Sequence, residues 1–165
     1  MLAAGVHLWR TQRELMEDEF LETAVDKFIF RVKRACWYSR SGVWVQPEDD
    51  VGRVGLSDFL QQSSGDVAFV EIQPVGTVLA AGDEFASVET MKVNLSLESP
   101  VAGTIAAVNE RLEETPELVN QDPYGEGWLA LIELSDWEAN RQALLDAAQY
   151  LEAMRAQALE EMERQ

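Results

Sequence analysis

Lys92 is an isolated lysine in a stretch of acidic, apolar and small residues, SVETMKVNLSLESPVAG, that spans residues 87–103. The only other lysines of the 165-residue chain, Lys27 and Lys33, lie near the N-terminus. A cofactor-attaching enzyme needs an exposed amine on a rigid turn with no competing amine nearby, and lipoamide and biotin are such lysine-linked carriers. A lysine stem extended by an eight-carbon acyl chain reaches about 15 Å, so one reactive group could visit several active sites. The alternative is an ordinary solvated surface lysine.

The other reactive residue types of the chain do not form a recognisable centre. The single cysteine, Cys36, and the single histidine, His7, lie far apart in sequence, whereas zinc sites need several such ligands at short spacings. No nucleophile or acid–base pair stands in a catalytic arrangement. We therefore expect no catalytic residue, no metal site and no free-standing enzyme. One cysteine also forms no internal disulfide, which suits a reducing compartment.

The chain is strongly acidic, with a net charge of -17. Nucleic acid and an anionic membrane surface would both repel it. The charge would suit a basic partner, or it reflects an adaptation to solubility or high salt. The N-terminus lacks the charged start and long apolar run of a secretory signal, and no stretch is long and apolar enough to span a membrane. We predict a cytoplasmic protein with no nucleic-acid and no membrane partner.

The residue pattern divides the chain into three regions. Residues 1–25 carry apolar residues roughly on one helical face, which predicts an N-terminal helical extension. Residues 26–134 hold short runs rich in Val, Ile and Phe between Gly, Pro, Asp and Ser, which is typical of a β-sandwich or barrel. Residues 135–165 predict a C-terminal helix that begins with a capping box formed by Ser135 and Glu138. The apolar face of the N-terminal region consists of Leu8, Leu15, Phe20 and Leu21.

A short repeat brackets Lys92. The residues PVGTV at 74–78 recur approximately as PVAGTI at 100–105, and each copy gives a Gly-Thr turn that enters a strand. Two similar half-domains that meet at a tight turn would place Lys92 at the tip of the molecule. The apolar phase of the strand-like runs predicts the buried core. Its predicted members are Val67, Phe69, Val88, Val101, Ile105, Val108, Trp128, Leu129 and Leu131.

Residues 51–134 resemble the H-protein of the glycine cleavage system, a family of lipoyl carriers. The matching stretches are VGLSDF, SGDVAFVEIQPVGT, AGDEFASVETMK, SPVAGTIAAVNE and, the most specific of them, ETPELVNQDPYGEGWL. The resemblance implies a mainly β fold: a barrel-sandwich hybrid, the lipoyl or hammerhead domain, built of two quasi-repeated half-sheets with N- and C-terminal helices. It also implies that residues 26–134 form an H-protein-like lipoyl domain.

The same resemblance implies a cofactor and the residues around it. Lipoate would be attached to Lys92 by an amide bond, with Glu89 three residues earlier and Met91 and Val93 on either side. A lipoate ligase or another lipoyl-attaching enzyme would be the first partner. The reactive dithiol would then come from the cofactor, and the chain would be a carrier.

The sequence departs from this family near the arm. H-proteins have a Tyr-Tyr and a His-Glu-Trp-Val pattern near their start, whereas this chain has neither His nor Glu before Trp44. Their lysine turn reads Glu-Ser-Val-Lys-Ala, whereas residues 89–93 read Glu-Thr-Met-Lys-Val. These differences favour a specialised relative, the H-protein-like lipoate-binding protein of sulfur oxidation, which would work with a heterodisulfide-reductase-like complex.

Three other functions stay open on the sequence. The first is the glycine cleavage H-protein itself, which would carry an aminomethyl group between the glycine cleavage enzymes. The second is a biotin carrier, because Met91 supplies half of the pattern typical of biotinyl-lysine, which has Met on both sides. The third is a binding module whose lysine is never modified.

Overall fold

The computed structural model describes residues 19–164 and has the mainly β architecture that the sequence predicts. The strands are β1 (Phe20–Val25), β2 (Phe28–Lys33), β3 (Trp37–Tyr38), β4 (Val43–Glu48), β5 (Val51–Leu56), β6 (Val67–Ile72), β7 (Val78–Leu79), β8 (Glu84–Thr90), β9 (Asn94–Glu98), β10 (Gly103–Val108) and β11 (Ala130–Leu134). The helices are α1 (Asp58–Ser64), α2 (Leu118–Gln121), α3 (Trp137–Gln142) and α4 (Ala147–Glu163), with a 3-10 helix at Glu110–Glu113.

The strands form three antiparallel sheets. β1 and β2 make a hairpin, six strands run in the order β3-β4-β5-β11-β10-β7, and β6, β8 and β9 make a three-stranded sheet. The two larger sheets enclose one apolar core to which both contribute. The two copies of the repeat pair with each other: the Gly76 N–H donates to the Ile105 oxygen at 2.8 Å, and the Ile105 N–H donates to the Thr77 oxygen at 2.9 Å. The half-sheets of the predicted barrel-sandwich hybrid are therefore present.

The predicted core is largely confirmed, with one clear error. The predicted residues that are buried are Val67, Val88, Val101, Ile105 and Leu129. Those that are only partly buried are Val108, Trp128 and Leu131. The prediction for Phe69 is wrong, because its side chain is 55% exposed. A β-bulge between Val67 and Phe69 breaks the alternation, so that Ala68 and Phe69 both face outwards.

The predicted N-terminal helix is wrong for the part that the structure describes. Residues 20–25 form strand β1, which pairs along its whole length with β2. Thr23 and Val25 are buried and their neighbours are exposed, which is the two-residue period of a strand. The remainder of that prediction, with Leu8 and Leu15, lies outside the described residues.

The single C-terminal helix predicted for residues 135–165 is broken into α3 and α4. The backbone of Leu145 forms two hydrogen bonds of 2.8 Å with Tyr38, which draws the chain onto β3 and interrupts the helix. The predicted cap at Ser135 is also wrong, since α3 has Asp136 at its N-cap. The capping box lies instead at α4, where the Asp146 carboxylate accepts from the Gln149 N–H at 2.8 Å and the Gln149 side-chain oxygen accepts from the Asp146 N–H at 2.9 Å.

A second apolar core joins the hairpin to helix α4. Val25, Phe30 and Val32 of the hairpin are buried against the helix. The helix contributes Ala147, Tyr150, Met154 and Ala158. Trp44 of β4 belongs to this core and is fully buried, with its indole N–H donating to the oxygens of Leu56 at 2.9 Å and Pro123 at 3.1 Å. The hairpin and α4 thus form a fixed layer beside the barrel.

Within the described part of the chain, none of the helices has both the length and the apolar character needed to cross a membrane.

Candidate functional site: the Lys92 turn

Lys92 lies at the tip of the turn that connects β8 to β9. The Thr90 N–H donates to the Val93 oxygen at 2.8 Å and closes the turn. The Thr90 hydroxyl accepts from the N–H of Lys92 at 3.2 Å and from that of Val93 at 3.0 Å. The backbone on both sides of the lysine is therefore fixed by a single side chain, while the Lys92 side chain is exposed.

The turn is also bound to the loop at the end of helix α1. The buried Thr90 hydroxyl donates to the Ser64 oxygen at 2.6 Å, and the Met91 N–H donates to the Asp66 oxygen at 3.0 Å. Between these two contacts lies Gly65, whose φ of +91° is in the region that favours glycine. A Cβ atom at Gly65 would lie 3.4 Å from Cδ of Lys92, so the lysine stem crosses this residue.

Asn120 of helix α2 holds this loop in turn. Its side-chain oxygen accepts from the Val67 N–H at 2.9 Å, and its amide group donates to the Gly65 oxygen at 3.0 Å. The same amide group donates to Oε1 of Gln61 at 3.0 Å. Asn120 belongs to the segment ETPELVNQDPYGEGWL, so the stretch with the most specific sequence supports the lysine turn through one intervening loop.

The structure places the four predicted site residues together. Lys92 and Glu89 are exposed, and Met91 and Val93 have 79% and 45% of their surfaces exposed.

Sequence reasoning missed Thr90 and Asn120, which make the contacts that fix the turn. For Thr90 a signal was present, because a threonine before a tight turn can bond the backbone ahead of it. For Asn120 there was none, since it is 28 positions from Lys92 and meets the loop only after folding.

An apolar groove begins at the base of Lys92. Its volume is about 180 Å³, and helix α1, the β1–β2 hairpin and helix α4 form its walls. Six of its ten lining residues are apolar, namely Val25, Phe28, Phe30, Phe59, Ala158 and Met162, and the others are Gln62, Ser63, Glu161 and Lys92 itself. The groove could hold an apolar chain that is attached to the Lys92 amine. Lys92 is the one lysine among the residues that line it.

The remaining reactive groups are buried and protonated. Burial raises the pKa of the Cys36 thiol to about 12 and the pKa of the Tyr150 phenol to about 12. Burial also raises the pKa values of Tyr38 and Tyr124. Among residues 19–164 no three His, Cys, Asp or Glu side chains are grouped so that they could hold a metal ion, and His7 lies outside the described residues. The exposed amine of Lys92 is the group that this site offers for modification.

Comparisons with known proteins identify the family. The glycine cleavage H-protein family matches residues 36–157. The glycine cleavage system H protein of Carboxydothermus hydrogenoformans is 42% identical over 113 residues, which are 68% of this chain and 86% of that protein. The protein of the same name from Mycobacterium avium is 48% identical over 117 residues, which are 69% and 84% of the two chains.

A solved structure agrees with the sequence comparisons. The crystal structure of a glycine cleavage system H protein from Mycobacterium marinum aligns with a TM-score of 0.68 at 28% identity, over 73% of this chain and 97% of that one. The chain therefore belongs to the glycine cleavage H-protein family and is a carrier protein rather than an enzyme.

Proposed function

We propose that Lys92 carries a lipoyl group in amide linkage and that the chain serves the glycine cleavage system as its aminomethyl carrier. The observation that carries this proposal is the contrast between a backbone fixed by Thr90 and a free, exposed lysine side chain. A tether needs one anchored end and one mobile end. When attached, the lipoyl group supplies the dithiol that holds the carried group.

The residues around Lys92 set where the arm starts. Because Thr90 and the loop at residues 64–66 fix the turn from two sides, the base of the arm keeps one position relative to the barrel. This matters because a misplacement of about 1 Å at a reacting centre can cost on the order of 100-fold in rate. The fixed turn also offers an attaching enzyme a defined shape to recognise.

The groove beside Lys92 supports an apolar acyl arm. Its walls are mainly aromatic and aliphatic, and Lys92 itself forms part of its rim. Apolar surface of an eight-carbon chain that enters the groove would leave water, which stabilises it by about 25 cal/mol per Å². The same features fit a lipoyl chain better than a permanently unmodified lysine.

The comparisons favour glycine cleavage over the sulfur-oxidation function that the sequence analysis put first, because the matched family and relatives are H-proteins of the glycine cleavage system. One of the departures that favoured sulfur oxidation has a structural explanation. Val43 and Trp44 are both fully buried, so the absence of His and Glu before Trp44 changes the packing of the interior rather than an exposed docking surface. A lipoyl-attaching enzyme, the glycine cleavage enzymes and a cytoplasmic location belong to this proposal.

A reconstituted reaction tests the glycine cleavage role. We expect lipoylated protein to support the exchange of bicarbonate into glycine by a purified bacterial glycine decarboxylase. The variant Lys92→Arg keeps the charge but cannot be lipoylated, so it should give no exchange, whereas Lys27→Arg should behave as wild type. Fully lipoylated wild-type protein that gives no exchange would contradict the glycine cleavage role.

A further inference from the structure

The exposed face of the β6-β8-β9 sheet adjoins the Lys92 turn. Strand pairing places Phe69 opposite Glu89 and Glu71 opposite Ser87. On the next strand, Glu89 pairs with Asn94. We call the surface made by Phe69, Glu71, Ser87 and Glu89 the arm face. Glu89 is three residues before Lys92, and three residues span at most about 10 Å, so the arm face ends beside the lysine turn.

Phe69 is an aromatic residue that a β-bulge keeps outside the core. The bulge after Val67 turns its side chain outwards and leaves 55% of its surface exposed. Simple alternation of the strand would have buried it. Met91 and Val93 extend the exposed apolar surface to the turn itself. Aromatic residues, Phe included, and Met are enriched in protein interfaces relative to the rest of the surface.

The charge of the sheet that carries the arm face is entirely acidic. The ionisable residues of β6, β8 and β9 are Glu71, Glu84, Glu89 and Glu98. Glu84 lies directly opposite Glu98, an arrangement of like charges that costs stability. None of the four forms an ion pair with another residue in the described part of the chain. Acylation of Lys92 removes the neighbouring positive charge, so the charged side chains that remain on this sheet and its lysine turn are all acidic.

The groove and the arm face lie on opposite faces of strand β8. Thr90 is on the buried phase of β8 and points to Ser64 at the end of α1, the helix that forms one wall of the groove. Glu89 and its partner Phe69 are on the exposed phase. The hairpin and α4 occupy the groove side, so the open approach to Lys92 is across the arm face.

We propose that the arm face is the docking surface for glycine decarboxylase, and that this enzyme offers an apolar recess for Phe69 rimmed by Arg or Lys side chains. The proposal rests on the carrier function proposed above and adds the chemistry of the partner surface. The acidic residues of the arm face, Glu71 and Glu89, speed and orient the encounter with the partner, and Phe69 supplies the affinity.

The first test compares two exposed apolar residues. Phe69→Ser removes the aromatic ring from the arm face, and Val78→Ser removes an apolar side chain of 77% exposure from β7 in the other sheet. Both are assayed as fully lipoylated proteins with purified glycine decarboxylase. We expect Phe69→Ser to raise the KM for the carrier about tenfold or more with kcat changed less than about twofold. Val78→Ser should leave both constants unchanged.

The second test examines the charges. Glu71→Gln with Glu89→Gln should raise the KM several-fold and flatten its dependence on salt, because a charge interaction with the partner is lost. Glu48→Gln with Asp50→Asn removes the same charge from the exposed β4–β5 turn and is the matched control. Urea unfolding of each variant shows whether it remains folded.

Each outcome decides the proposal. Wild-type kinetics for Phe69→Ser, or equal effects of Phe69→Ser and Val78→Ser, would overturn the arm face as a docking surface while leaving the carrier function intact. An unchanged salt dependence in the arm-face double variant would overturn the basic rim. Lipoylated wild-type protein that neither binds nor reacts with the decarboxylase would contradict both the docking surface and the proposed function.

Discussion

At the scale of single residues, the lysine turn depends on small side chains that do no chemistry. Thr90 fixes both backbone amides that follow it and also bonds to Ser64. Gly65 gives the loop a conformation that a residue with a Cβ rarely adopts, and it lies beside the Lys92 stem. These neighbours hold the turn, while the Lys92 side chain is exposed.

A matched pair of glycine substitutions tests this description. Gly65→Ala and Gly76→Ala both place a methyl group at a residue with φ near +90°, so each should lower the free energy of unfolding by about 1–3 kcal/mol. The added Cβ at Gly65 meets the Lys92 stem, whereas at Gly76 it meets no atom within 4 Å. Urea unfolding measures the stability, and the rate of lipoylation by a lipoate ligase measures the turn. Gly65→Ala alone should slow lipoylation, and equal rates for the two variants would contradict this role of Gly65.

At the scale of elements, helix α2 reaches the lysine turn through the loop at residues 64–66. The Asn120 side-chain oxygen accepts from the Val67 N–H, and its amide group donates to the Gly65 oxygen.

Asn120→Asp keeps the acceptor but sets a carboxylate against the Gly65 and Gln61 oxygens, which should lower the free energy of unfolding by about 1–3 kcal/mol. Amide hydrogen exchange at Thr90 and Met91 should become faster. Asn94→Asp, which adds the same charge beside the turn, is the control and should leave both amides protected.

Three tyrosines join the hairpin, the barrel and helix α4. Tyr38 donates to the Lys33 oxygen at 2.9 Å, Tyr124 donates to the Arg31 oxygen at 3.0 Å, and the hydroxyl of Tyr150 lies 2.8 Å from that of Ser57. These are all the tyrosines of the chain. Their buried phenols connect elements that are distant in sequence.

The raised pKa values of these phenols predict alkaline destabilisation. Burial keeps all three protonated in the folded protein above their ordinary pKa of 10.0, and it raises the pKa of Tyr150 to about 12. The folded state then holds protons that the unfolded chain releases, so the contribution of these phenols to the free energy of unfolding is constant below about pH 9 and falls as the pH rises towards 12. Phenolate absorbance should appear only together with unfolding. Ionisation near pH 10 in protein that keeps its circular dichroism would contradict this, and a titration in urea is the control.

The elements show what the sequence could predict and what it could not. Short strands, the repeat around Lys92 and the exposed turn follow from local patterns, and they agree with the structure. The errors come from contacts between distant segments. Phe69 depends on a bulge against β8, and the break before α4 depends on pairing between Leu145 and Tyr38. Strand β1 exists because β2 pairs with it, and a short apolar run does not by itself distinguish a strand from a helix.

In the whole molecule, two elements lie outside the residues that match the family. The family match begins at residue 36 and ends at residue 157, whereas the β1–β2 hairpin precedes it and the last turns of α4 follow it. These two segments supply Phe28 and Met162 to the groove beside Lys92. The layer that they form with the rest of α4 therefore covers one side of the lysine turn and leaves the acidic arm face on the other.

The mass of the intact protein after co-expression with a lipoate ligase shows whether Lys92 is the attachment site of the arm. We expect one lipoyl adduct on wild-type protein and on the variant in which Lys27→Arg and Lys33→Arg are combined. Lys92→Arg should carry no adduct. An adduct that persists on Lys92→Arg, or wild-type protein that stays unmodified while another H-protein is lipoylated under the same conditions, would show that Lys92 is not the attachment site.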